Sequence, residues 1–110
     1  MITTKKGKIP VYFGMNALAR FGDLTGKTMT EVMNSLADMS KLKMSEMLAF
    51  IYSGFVEGAR REKVECVVKS IDEVGDMLDE DFDLITKVMS VYAKQSVPDE
   101  VGAVEQDKKK

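Results

Sequence analysis

Residues 44–61 read MSEMLAFIYSGFVEGARR and predict one long helix that is apolar on almost every side. One stripe of this helix holds Met44, Met47, Leu48, Ile51 and Phe55, and Ala49, Phe50, Tyr52, Val56 and Ala59 fill much of the remainder. A helix that is apolar nearly all round is usually buried on most of its sides. The segment therefore predicts the central helix of the molecule. From Glu57 to Lys63 the sequence turns polar, so we expect the last turn to project into water.

The N-terminal residues predict a small β-hairpin at about residues 2–13. From Ile9 to Phe13 apolar residues alternate, which is a strand pattern, and Pro10 confines such a strand to a sheet edge. Residues 2–4 are placed to pair with it across a short basic turn.

Two helices are predicted between the hairpin and the central helix. Asn16 is a candidate N-cap for the first, and Gly26 is placed to end it in a left-handed conformation. Thr28 and Glu31 have the spacing of a capping box, which predicts the start of the second. The apolar face of that second helix comprises Met29, Val32, Met33, Leu36 and Met39.

Two further helices are predicted after the central one. Residues 64–69 are compatible with an extended segment, the tail of the central helix or an apolar linker. Ser70 and Glu73 form a second capping box, opening a short helix. The last helix precedes Pro98. Its predicted inward face contains Phe82, Ile85, Met89 and Tyr92, widened by Leu84 and Val88, and that of the short helix contains Ile71, Val74 and Leu78.

Together these patterns predict a mainly α fold, a compact bundle of about five helices with a small N-terminal hairpin. The 110 residues suit a single domain, which we place at residues 1–96. Residues 97–110 are polar and have no periodic apolar face, so we expect them to form a flexible tail.

The sequence lacks the residues or the spacing that catalytic and metal-binding motifs require. The chain has no histidine, which excludes histidine acid–base catalysis and histidine metal ligation. Residues 22–28, GDLTGKT, resemble a phosphate-binding loop, but three residues rather than four separate the glycines. Alternating Asp79, Asp81 and Asp83 lack the glycine and glutamate of a calcium loop. We therefore predict a non-enzymatic protein without cofactor, metal or catalytic residues.

Charge and cysteine content narrow the partners and the compartment. The net charge is −2, and without the six lysines near the two termini it would be −8, which disfavours nucleic acid as a partner. Cys66 is the only cysteine and predicts a packed thiol in a reducing compartment. No apolar run resembles a signal peptide or a membrane span, so we expect a cytoplasmic protein.

Methionine is unusually frequent, with nine residues against seven leucines. Five of them lie within nineteen residues, at positions 29, 33, 39, 44 and 47. Methionine side chains adapt to irregular surfaces and suit promiscuous helix-binding grooves. Each of the five also lies on a predicted apolar stripe, so core packing is the favoured interpretation and a binding groove is the alternative.

Several short motifs together resemble the small tail assembly chaperones of long-tailed bacteriophages, especially those that infect Gram-positive hosts. The resemblance spans roughly residues 8–95 and rests on structural motifs rather than on catalytic ones. They are Val11-Tyr12-Phe13-Gly14, Asn16-Ala17-Leu18, Leu24-Thr25-Gly26-Lys27-Thr28, Tyr52-Ser53-Gly54, Glu57-Gly58 and Ile71-Asp72-Glu73-Val74-Gly75-Asp76.

The resemblance implies a protein of the infected or lysogenic host cytoplasm that is absent from the mature virion. It would bind the tape-measure protein and help to recruit tail-tube protein. The predicted contact surface lies on the central helix and comprises Met47, Ile51, Tyr52, Phe55 and Val56. A small helical adaptor or oligomeric connector is the alternative, and homo-oligomers are compatible with both. A helix-turn-helix DNA regulator is less favoured, because no predicted helix is rich in Arg, Lys, Asn or Gln.

Overall fold

A computed structural model describes residues 1–5 and 7–96. It confirms the predicted fold class, a mainly helical globule with a two-stranded N-terminal hairpin. The elements are β1 (Ile2–Thr4), β2 (Gly7–Ile9), α1 (Met15–Thr25), α2 (Met29–Ala37), α3 (Met44–Glu62), α4 (Ile71–Glu80) and α5 (Leu84–Ser96), with a single 3₁₀ turn at Met39–Lys41. The tail predicted at 97–110 lies outside the described residues.

The hairpin is shorter than the sequence suggested. Its strands pair antiparallel with Ile2 opposite Ile9 and Thr4 opposite Gly7, so the second strand ends where it was expected to begin. Pro10 has no N–H for the ladder, and the chain then leaves the sheet and runs extended to Phe13. Tyr12 N donates instead to Gly54 O on α3, at 3.1 Å. The predicted strand at 9–13 is therefore wrong, because these residues bond to a helix.

Helix α3 is the central helix, as predicted, and packs against α1, α4 and the hairpin. An aromatic cluster joins it to its neighbours: Phe13 stacks on Phe50 with ring centroids 4.5 Å apart. Phe21 and Tyr92 meet the same Phe50 ring edge-on, at 5.4 and 5.2 Å. Three other parts of the chain thus converge on one buried ring of α3.

The caps of α1 and α2 follow the sequence with one exception. Gly14, not Asn16, is the N-cap of α1, so Asn16 lies inside the helix. Gly26 ends α1 at φ +71°, as its position predicted. Thr28 and Glu31 form the predicted capping box: Glu31 N donates to Thr28 Oγ1, and Thr28 N donates to the Glu31 carboxylate.

The last turn of α3 projects into water, as expected, but the polar stretch that leads to it begins inside the fold. Glu57 is buried at 1% exposure, and this end of the helix is exposed from Arg60 onward. The helix ends at Lys63, which is left-handed at φ +59°, and Val64 N donates back to Ala59 O. Residues 64–69, which the sequence left undecided, form an irregular connection to α4.

Helices α4 and α5 bury slightly different faces from those predicted. Ser70 caps α4, but the Glu73 carboxylate accepts from Lys69 N rather than from Ser70 N, so the second capping box is only half formed. In α5, Leu84 and Val88 are fully buried and lead the inward face. Phe82 precedes the helix and is 71% exposed, so its assignment to that face is wrong.

Candidate functional site

An apolar groove lies between α1 and α2, with a volume of about 290 Å³. Its three methionines are open to solvent: Met15 is 74% exposed, Met29 76% and Met33 46%. We call it the methionine groove and define it by its lining residues, which are Met15, Leu18, Ala19, Gly22, Asp23, Lys27, Met29, Val32 and Met33.

The turn between the two helices places this groove. Gly26 reverses the chain, and the capping box at Thr28 starts α2 at once. The helices approach closely at Gly22, where a Cβ would lie 3.3 Å from Val32 Cγ2. Val32 is the buried residue of α2. The other apolar side chains of α2 either line the groove or pack partly against the core. Small side chains thus form the floor, and long flexible ones the rim.

The two charged residues that line the groove, Lys27 and Asp23, have different surroundings. Lys27 lies 3.2 Å from the Glu46 carboxylate of α3, and both side chains are mostly buried. The pKa of Glu46 is lowered, first by a hydrogen bond from the Lys43 backbone N–H, which burial partly offsets, and then by Lys27. Asp23 is exposed on α1 and forms no hydrogen bond or ion pair with any residue in 1–5 or 7–96.

The five contact residues predicted on the central helix do not form one exposed surface. Ile51 is 0% exposed and Phe55 1%, so both belong to the core. Met47 and Tyr52 are half-buried and pack against that core, and Val56 is half-buried as well. In this conformation Ile51 and Phe55 offer a partner no area to touch. Periodicity identified an apolar helix correctly but could not tell a binding face from a core.

The clustered methionines divide between the two interpretations that the sequence left open. Met39 and Met47 are half-buried against the core, in line with the favoured one. Met29, Met33 and Met44 are exposed, at 76%, 46% and 63%, so core packing is wrong for these three. Met15, outside the sequence cluster, was missed as a groove residue. Its position at the start of α1 was the available signal. It faces α2 because the turn at Gly26 reverses the chain.

A second cavity of similar volume lies beside the hairpin and the end of α3. Its exposed apolar side chains are Met1, Val64 and Val67. Three charged residues, Lys8, Glu62 and Glu65, share its lining. Because its walls include the chain's first residue and the irregular 64–67 segment, it holds less fixed geometry than a groove between two helices.

A buried carboxylate joins α1 to α3. Glu57 Oε1 accepts from Arg60 Nε at 2.9 Å, and Arg60 Nη2 bonds to the other carboxylate oxygen. Arg20 Nη1 of α1 lies 3.9 Å away and has no hydrogen-bond partner among the described residues. The hydrogen bonds from Arg60 lower the pKa of Glu57 against the effect of burial, with smaller contributions from Asn16 and Arg20. With two arginines around one carboxylate, this group serves as an ionic tie between helices.

The remaining candidate features give weaker evidence of a functional site. No cluster of metal-ligating side chains occurs in the part of the chain that the structure describes. Cys66 is half-buried and packs against the core, as predicted. The glycines of the 22–28 motif end α1 and contact α2 rather than wrapping an anion.

Neither the length and apolar character of the helices nor the comparisons with known proteins assign a function to the chain. Within residues 1–5 and 7–96, no helix has both the length and the apolar character needed to cross a bilayer. Comparisons of the chain with protein-family models, with curated proteins and with solved structures find no match.

Proposed function

We propose that this chain is a tail assembly chaperone of the bacteriophage type, which holds a helix of the tape-measure protein in the methionine groove. The single observation that supports it most is the exposure of Met15, Met29 and Met33 around one groove. Such a protein would work in the cytoplasm of the infected or lysogenic host, help to recruit tail-tube protein, and be absent from the mature virion. The family assignment is supported by the sequence motifs, and the groove supports the binding of a helix.

The shape and chemistry of the groove favour a helical partner. An amphipathic helix docks by laying its apolar anchors, spaced three or four residues apart, into a hydrophobic groove. Methionine rims accommodate different apolar side chains because the thioether is flexible and polarizable. A partner with many non-identical helical repeats could therefore be bound at several places by the same groove.

The expected affinity suits a chaperone that must be released. Burying one methionine side chain contributes about 1.5–3 kcal/mol, so three partly exposed methionines supply only a few times that amount. Association costs about 4–15 kcal/mol in lost freedom and side-chain ordering. The two contributions nearly balance, so we expect weak, reversible binding rather than a permanent complex.

The test is co-expression with the products of the genes just downstream. We expect one large helical protein to become soluble only when this chain is present, and Met29→Glu to abolish that rescue. Met44→Glu is the matched control, because Met29 and Met44 are each the exposed first residue of a helix whose N-cap N–H donates to a glutamate at the third helical position. Absence of rescue for every neighbour, or equal loss with both variants, would contradict the proposal.

A further inference from the structure

The charge of the methionine groove specifies its partner more closely than its apolar lining does. Asp23 and Lys27 are the two charged residues of the lining. Lys27 is neutralised within the chain, since its Nζ lies 3.2 Å from Glu46 and both side chains are mostly buried. Asp23 has no such partner among the described residues. The groove therefore presents one uncompensated carboxylate beside an apolar surface.

That carboxylate has no evident structural role in this chain. It lies in the last turn of α1, where the helix dipole disfavours a negative charge. It is exposed, and the C-cap of that helix is made by Gly26 without it. A like-charged partner residue at this point would be repelled, and a basic one attracted.

We infer that the helix bound in the groove carries a lysine or arginine one turn away from its apolar anchors, so that the basic group pairs with Asp23. The inference rests on the proposed helix-binding function and names the partner's chemistry. The volume of the groove limits the number and size of the partner's apolar anchors. An apolar cavity of about 150 Å³ holds one benzene ring, and the groove of about 290 Å³ therefore has room for about two side chains of that size.

Two synthetic peptides test the inference. Each is a helix-forming chain of about 18 residues, long enough to be helical in water, with two leucine anchors four residues apart. They differ only at one flanking position, which is lysine in one peptide and glutamate in the other. Fluorescence anisotropy then measures the Kd of each peptide for the full chain. We expect the lysine peptide to bind about two- to fivefold more tightly, the range of an exposed ion pair.

Charge reversal on the protein separates a local pair from general attraction. Asp23→Lys should reverse the preference, so that the glutamate peptide binds more tightly, and raised salt should shrink the difference. Asp79→Lys is the matched control, because Asp79 is also exposed near the end of a helix and does not line the groove. It should leave the preference for lysine in place.

The outcomes distinguish this inference from the function on which it rests. Equal binding of both peptides, or a lysine preference that survives Asp23→Lys, would overturn the inference. If Met29 is nevertheless required for the co-expression rescue, the proposed function stands. If the peptides discriminate as expected and no neighbouring gene product is rescued, the tape-measure assignment fails and the basic amphipathic partner remains. Self-association that Met29→Glu abolishes in sedimentation would instead place a second copy in the groove and refute the inference.

Discussion

The methionine groove and the contact between α3 and residues 10–13 are both built from apolar side chains, yet only one of them is complete. At the second contact, which we call the N-terminal seam, Gly54 and Gly58 of α3 let the extended chain lie directly on the helix. Gln95 of α5 closes the seam from the other side: its Nε2 donates to Val11 O, and its Oε1 accepts from Phe13 N at 2.7 Å. Backbone groups and rings there have defined partners within the chain.

The methionine groove has the opposite character. Its rim consists of unbranched side chains that are largely exposed, and one of its two charges is unpaired within the described residues. Close packing of rigid groups gives a unique structure, whereas flexible methionines tolerate change. The difference indicates that the seam maintains the fold and that the groove is available for a partner. It can be tested by substitutions whose costs should differ between the two regions.

The largest effect is expected at Gly58, in the seam. A Cβ there would lie 2.6 Å from Val11 N and closer still to the Pro10 carbonyl, both of which are backbone. Gly58→Ala should therefore lower the free energy of unfolding by about 3 kcal/mol, the upper range for overpacking. Urea denaturation measures the change.

Gly75 in α4 provides the matched control for that substitution. Within the described part of the chain, a Cβ at Gly75 would meet only Leu48 Cδ1, at an ordinary 3.7 Å. Gly75→Ala should stabilise the protein by about 1 kcal/mol, because alanine is the better helix former. A Gly58→Ala variant as stable as the parent chain would show that the seam yields easily and would remove the contrast with the groove.

A somewhat smaller effect is expected at Glu57, which ties α3 to α1 next to the seam. Glu57→Gln removes charge-assisted hydrogen bonds from Arg60 and should cost about 2 kcal/mol at neutral pH. Because the pKa of Glu57 is lowered in the folded protein, its ionised form stabilises the fold above the unfolded pKa of about 4.3. That stabilisation is lost as the pH falls through the lower, folded-state pKa.

The measurement is the free energy of unfolding of the parent chain and of Glu57→Gln between neutral and acid pH. Other carboxylates with lowered pKa, such as Glu31 and Glu46, titrate in both proteins, so the difference between the two isolates Glu57. The curves should converge in acid. A gap that stays constant with pH would mean that Glu57 acts through its shape rather than its charge.

Local signals in the sequence predicted most of the fold and little of the site. Gly26, the capping box at Thr28 and the apolar run of α3 each determine their own element through backbone geometry or hydrogen bonds between near neighbours, and all three were predicted correctly. The strand at 9–13 was misplaced because Tyr12 N bonds to Gly54 O, 42 residues later, and a strand pattern does not reveal that a helix will accept this bond.

The groove was hidden for a related reason. Periodicity shows that Met29, Val32 and Met33 share a face of α2, but not whether another element covers that face. Coverage depends on how α1 and α2 are set against α3, which is determined by the aromatic cluster on Phe50 and by the Lys27–Glu46 pair. Val32 is covered and the two methionines are not. Only distant contacts separate a core position from a binding position on the same stripe.

The smallest effect on stability is expected in the groove itself. Met29 is 76% exposed, so Met29→Glu removes almost no buried area, and at the first position of α2 a carboxylate gains slightly from the helix dipole. Its free energy of unfolding should therefore stay within about 0.5 kcal/mol of the parent chain, as should that of Met44→Glu. Urea denaturation of both variants is compared with their effects on partner solubility. The comparison decides whether the groove residues belong to the core or form a binding surface. If Met29→Glu cost as much stability as Gly58→Ala, Met29 would be a packing residue in solution, and any loss of binding would report unfolding. Stability retained together with binding lost would show that the exposed methionines serve the partner rather than the fold.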